Sequence, residues 1–309
     1  MKKAILITSA VFLVSAILTV AFAVGLGASG IRSLFDGTAE GYINDFIDKV
    51  EQLDGRFEDL GDKIDNRLDH DFDSAYDLAY SKSTEVDLSG DTVTLGFDAA
   101  EIRVVPATDS KLIVDMNVYS KFQTDKELFG ILINTDGYDY YLKKLDNIDR
   151  SAAKVTVAVP ESVKEIKIKA SAGEISVQNF SLSKLDIELD AGEVDIENVQ
   201  AENGRVKVNA GEIGFDKFCK INDLEAVVDI GEISYDLSAS QNVIINYSVN
   251  LGTADIEHGS SDYVAFDANG NETSSLGRIG RLENINADEN AAKVQLKVGT
   301  GSIEFDEIY

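Results

Sequence analysis

The heptapeptide SAGEISV at residues 171–177 returns as DAGEVDI at 190–196, NAGEIGF at 209–215 and DIGEISY at 229–235. Cutting the chain after each of these glycines gives units of 19, 19, 20 and 21 residues. A unit of this length cannot bury an apolar face alone, so neighbouring units must stack. Each unit holds two alternating runs. The first carries Ile175 and Val177, Val194 and Ile196, Ile213 and Phe215, then Ile233 and Tyr235; the second carries Leu185, Ile187 and Leu189, Val206 and Val208, Leu224, Ala226 and Val228, then Val243, Ile245, Tyr247 and Val249. Period-two alternation buries one face of a strand and wets the other. The pattern predicts a mainly β fold, a β-solenoid or β-helix with coils of ~20 residues. Gly173, Gly192, Gly211, Gly231 and Gly252 fall at one corner of that coil, where a tight turn needs positive φ or has no room for a Cβ.

Echoes of the unit at 99–105 (AAEIRVV), 251–258 (LGTADIEH) and 299–305 (GTGSIEF) extend the array over residues 83–309. About ten coils at ~4.8 Å each would make a rod on the order of 50 Å long. The spacing breaks twice. In the first break, ILINT and YDYYL flank Asp136-Gly137, which predicts a β-hairpin. The second, NGNETSSLGRIGRLENINADEN, is polar and glycine-rich and predicts a long loop or flap rather than a strand.

Ahead of the repeats, Lys2 and Lys3 precede an uncharged, mostly apolar run from Ala4 to about Gly30. Its ~22 most apolar residues are long enough as a helix to cross a bilayer. Residues 1–30 are therefore expected to be a cytoplasmic stub and transmembrane anchor. A cleaved signal peptide is the competing reading, with AFA at 21–23 as the small-residue site. The paired lysines hold the N-terminus in the cytoplasm and place the remainder outside the cell. Residues 31–82 read as an acidic helical stalk or linker. Phe46, Val50, Leu53, Phe57, Leu60 and Ile64 trace an amphipathic seam through which self-association is an open option.

The chain carries 55 Asp and Glu against 28 Lys and Arg, a formal net charge of -27. Such a field repels phosphate backbones and attracts cations and cationic peptides, so nucleic acid is excluded as a partner. One cysteine and two histidines, His70 and His258, rule out a four-cysteine zinc site and leave little imidazole for metal or acid-base work. Asp69, Asp71 and Asp73 alternate like the opening of an EF-hand loop. The match fails at Ser74 and Tyr80, where Gly and a bidentate Glu belong. Asn246 lies in a formal glycosylation sequon, and Cys219 reads as a quiet, partly buried thiol.

Glu174, Glu193, Glu212 and Glu232 follow the corner glycines, with Glu101 as a candidate outlier. In register they form a ladder of like charges ~4.8 Å apart. It is open to three readings: a solvated face, a bridge for divalent cations, or a recognition surface for a cationic partner. Repetition explains a repeated acid, whereas a catalytic pair breaks the pattern locally. No nucleophile elbow, Walker loop, HExxH or CxxC is present. The expectation is no enzyme, no catalytic residue, no cofactor and no dedicated metal site.

Residues 154–177, KVTVAVPESVKEIKIKASAGEISV, run from alternating valines through Val159-Pro160 and an alternating strand to a small residue with Gly-Glu-Ile. This resembles the bacterial putative-adhesin family of β-strand-repeat domains, which includes Lia-type envelope-stress proteins. The likeness covers residues 83–309, and VQLKVGTGSIEF fits the family's C-terminal end. It implies a β-helix-like domain on the extracytoplasmic face and supplies no catalytic residues. The combined expectation is a single-pass cell-membrane protein whose extracellular solenoid binds or senses at the cell envelope, with a cationic peptide or an envelope protein as partner. A surface adhesin for glycan or matrix is the alternative, and a polysaccharide-active β-helix enzyme the remote one.

Overall fold

The structure, a computed structural model, describes residues 77–120, 127–135, 137–145, 151–216, 218–257 and 262–307. The expected anchor, residues 31–76 of the expected stalk, the Asp69–Asp73 run and His258 lie outside the described residues. The first strands are β1 (Asp77–Val86), β2 (Thr92–Ala107), β3 (Leu112–Ser120), β4 (Phe129–Thr135), β5 (Tyr138–Lys144) and β6 (Ser151–Pro160). The repeats form β7 (Glu165–Gln178), β8 (Ser181–Glu197), β9 (Gln200–Phe215), β10 (Lys220–Leu237) and β11 (Val243–Glu257). Then come β12 (Tyr263–Asp267), β13 (Glu272–Thr273), β14 (Ile279–Asn284) and β15 (Ala292–Glu307). No helix occurs among the described residues.

Each expected strand pair is one long strand bent at the repeat's corner. The registers skip one residue there: Asp98 on β2, Ser171 on β7, Asp190 on β8, Asn209 on β9, Asp229 on β10, Gly299 on β15 and Asn250 on β11. The skip divides every coil into a first arm and a second arm. One residue of every strand leaves the ladder at the bend without shifting the register, and short polar residues that bond locally suit such a place. Inward side chains of both arms, such as Leu185, Ile187, Leu189, Val194 and Ile196 of β8, join one core and are essentially sealed from water. Burying each such aliphatic contributes ~1.5–3 kcal/mol. Phe215 and Tyr235 pack at a tilt with ring centres 5.5 Å apart, and Tyr247 meets Phe305 edge-on at 5.7 Å, continuing the interior packing.

The corner glycines of successive coils are in register: Gly173 beside Gly192, then Gly211, then Gly231. All adopt φ between 131° and 139°. A Cβ at Gly192 would lie 1.9 Å from the Gly173 carbonyl oxygen, and one at Gly211 would lie 1.8 Å from that of Gly192. Both reasons for glycine, the conformation and the close approach, hold at this one corner.

Four features differ from the sequence expectation. First, spatial order is not chain order: the parallel coils run β2, β7, β8, β9, β10, β15, β11, so the C-terminal strand lies between the two preceding coils. Gly301 joins the glycine column between Gly231 and Gly252. Periodicity encodes a residue's place on a coil and not the coil's rank in the stack. Second, the stack has seven such coils rather than about ten. The remaining strands flank it, with β5 and β6 on the two arms of β2 and β14 on the first arm of β11. Third, the expected flap contains β13 and β14. In β14 only Leu282 is a large inward residue, flanked by Gly280 and the buried Asn284, so its alternation is faint. Fourth, β1 begins at Asp77, inside the expected stalk, and pairs with β3. The hairpin about Gly137 is present as β4 and β5, with Gly137 at φ 82°.

Candidate functional site: an acidic face on the second arm

Side chains that alternate with the core residues face out from the two arms, and the two outer faces differ in charge. On the first arm, charges alternate across the strands: Lys167, Asp186, Arg205 and Glu225 are neighbours in one row, and Lys169, Glu188 and Lys207 in the next. Opposite charges side by side on a sheet attract. Glu188 accepts from Lys169 at 2.8 Å and from Arg205 at 2.9 Å, and Glu225 accepts from Lys297 at 2.7 Å. The hydrogen bond from Lys169 holds the Glu188 carboxyl below its ordinary value, and Lys297 does the same for Glu225. This face neutralises itself.

The second arm does the opposite. Glu101, Glu174, Glu193, Glu212 and Glu232 stand in one continuous row, brought together by the registers of β2, β7, β8, β9 and β10. Ser302 and Thr253 continue the row on β15 and β11. Two further acidic rows lie beside it. Asp195, Glu304 and Asp255 occupy the position two residues on, and Glu197, Asp236 and Asp306 the position after that. From β7 to β11 the outward positions of this arm include no lysine or arginine. Cations enter only at the β2 end, where Lys154 reaches Glu101 at 2.8 Å and Arg103 donates to Gln178.

The ladder is half-buried rather than fanned fully into water. At Glu232, burial raises the carboxyl above its ordinary value, the Asp306 charge adds to this, and a 2.9 Å hydrogen bond from the Ser302 hydroxyl opposes it. The arrangement can hold cationic groups along a line of acids. Among the described residues no group of three or more His, Cys, Asp or Glu side chains is placed to hold a metal ion. Cys219 is buried, its thiol donates to the Ile196 carbonyl, and burial pushes its pKa up to about 12, which removes it from nucleophilic chemistry. Sequence reasoning found the first acidic row through its glycine. It missed the other two, because acids recur there only on some coils, as at Asp195 and Glu197 of β8 or Asp236 of β10.

A stack of bent parallel coils with one ion-paired and one acidic face defines a solenoid-like β domain. The chain belongs to the Toastrack DUF4097 family, which matches residues 97–307. This agrees with the resemblance carried by residues 154–177. Solved structures with a similar fold include a putative cell adhesion protein from Clostridium sporogenes, 16% identical, covering 74% of this chain and 99% of that one at a TM-score of 0.42. Others are a putative adhesin from Bacteroides fragilis, 14% identical over 74% and 97% at 0.34, and one from Parabacteroides distasonis, 10% identical over 74% and 97% at 0.27. No curated protein matches the chain.

Proposed function

We propose that this is a single-pass membrane protein of the bacterial cell envelope, its N-terminus cytoplasmic and its Toastrack domain outside, which binds or senses cationic peptides through the second-arm face. The observation that carries the reading is charge segregation: the first arm alternates acids with bases, whereas the outward positions of the second arm from β7 to β11 carry acids and no lysine or arginine. Acids ~4.8 Å apart, with no lysine or arginine at the outward positions from β7 to β11, repel one another by roughly 1 kcal/mol per pair in water, less with salt, so the face gains from an incoming cation. Domain capture then reaches the membrane through the anchor, as an envelope-stress response requires. The apolar run at 4–30 and its preceding lysines support the anchoring.

The test is a titration of the full-length chain with a cationic peptide at rising salt. Binding should weaken with salt and fall at least tenfold in a Glu174→Gln, Glu193→Gln, Glu212→Gln, Glu232→Gln variant. Absence of binding at low salt would sink the proposal.

A further inference from the structure

On the first-arm face the charge alternation stops toward the β11 end of the stack. Past Glu225 the row reads Gln295, Asn246, Arg281 and Phe266 on β15, β11, β14 and β12. Ser248 lies in the adjacent row beside Lys297 and Ile279. This is also where strands outside the repeat, β12 and β14, make the face concave. An open cleft of about 370 Å³ is lined by Asn246, Ser248, Gln295, Phe266, Ile279 and Arg281. That is within the ~300–1,000 Å³ typical of small-molecule sites.

The lining combines three chemistries. Asn246 and Gln295 supply exposed amides that both donate and accept, and Ser248 adds a hydroxyl. Ile279, 57% exposed, and Phe266 supply apolar surface. The Arg281 guanidinium carbon is 4.5 Å from the Phe266 ring centre, and its charge is balanced by Glu283 at 3.2 Å. The rim is prearranged: Asp267 accepts from the backbone of Asn269 and Asn271, closing a turn through Gly270 at φ 82°. Beneath the floor, Gly280 leaves room for the buried Tyr247 ring, since a Cβ there would fall 2.5 Å from the Tyr247 oxygen.

The geometry points to a binding site for a neutral saccharide. Paired amides and a hydroxyl match the vicinal hydroxyl or acetamido groups of a pyranose, and the apolar surface matches its C–H face. The balanced Arg281 gives no net attraction for an anionic sugar, and the charge of -27 on the chain disfavours one. In a repeat array, residues that follow the repeat are explained by it. These residues depart from it together and at a concavity. The inference does not rest on the acidic-face reading, because the cleft lies on the other arm.

Ligand-observed saturation-transfer NMR on the full-length chain, with chitotriose and cellotriose as probes, tests it. Signal transfer from at least one trisaccharide is expected, with Kd on the order of 1 mM. An Asn246→Ala, Gln295→Ala variant should weaken it at least tenfold at an unchanged melting temperature, while Glu193→Gln, Glu212→Gln should leave it intact. Ile279→Asp, which removes apolar contact without touching the amides, should weaken it too. No transfer from either sugar at 10-fold the expected Kd, or transfer undiminished in both cleft variants, would overturn the site.

Discussion

At the scale of single residues, the corner glycines are the least replaceable positions. Gly192 at φ 132°, with a would-be Cβ 1.9 Å from the Gly173 oxygen, can accept no side chain unless two coils separate. Gly192→Ala should cost at least ~3 kcal/mol in urea denaturation, combining backbone strain with overlap. Ala100 opens the same column on β2, and Ala100→Gly should cost no more than ~1 kcal/mol. Glu232 makes an electrostatic prediction. Its folded pKa lies above the unfolded one, so any stability tied to its neutral form is present at low pH and is lost as pH rises through the folded value. Glu232→Gln keeps an acceptor for Ser302 and removes like-charge repulsion, and should stabilise the domain by ~1 kcal/mol at pH 7. The variant and the parent should converge below about pH 4, where both side chains are neutral. Cys219 gives a third check: at pH 8 its modification by a thiol reagent should proceed only at the rate of unfolding. The glycines and the first acidic row were legible because the repeat marks them. The raised Glu232 was not, because the burial that raises it, and the Asp306 charge that adds to this, depend on which coil packs beside β10, and that coil comes about 70 residues further along the chain.

At the scale of elements, the placement of β15 decides the domain's cooperativity. In a stack built in chain order, removing the last coil exposes one interface. Here β15 pairs with β10 on one side and β11 on the other, so removing it opens the interior of the stack. Deletion of residues 287–309 should therefore abolish the cooperative thermal transition of the whole β body, measured by circular dichroism, rather than lower it by a few degrees. Amides of β11 should exchange as fast as those of unfolded chain in that variant. The insertion also couples distant segments, which favours slow folding completed only once the C-terminal strand is available. Strand existence was legible wherever large apolar residues alternate, as in β7 to β11. It was illegible in β14, whose inward positions are Gly280, Leu282 and Asn284 and whose pairing rests on partners from β11 and β12.

At the scale of the whole molecule, charge is the dominant variable. With -27 net and acids gathered on one face, repulsion opposes the folded state at low salt. The melting temperature should rise as sodium chloride goes from ~0.01 M to ~0.5 M, because the screening length shrinks below the spacing of the ladder. A flat profile would mean that the acids contribute no net strain. The β-solenoid class, the coil length, the corner glycines and the alignment of Glu174, Glu193, Glu212 and Glu232 follow from the repeat alone, because a fixed period puts equivalent residues at equivalent points of the coil. Three features came from the three-dimensional arrangement instead: the C-terminal coil lies inside the stack, the two arms segregate their charges, and β12 and β14 border an open cleft beside Asn246 and Gln295. Those features are set by which coil becomes whose neighbour, and a periodic sequence offers every coil much the same edge.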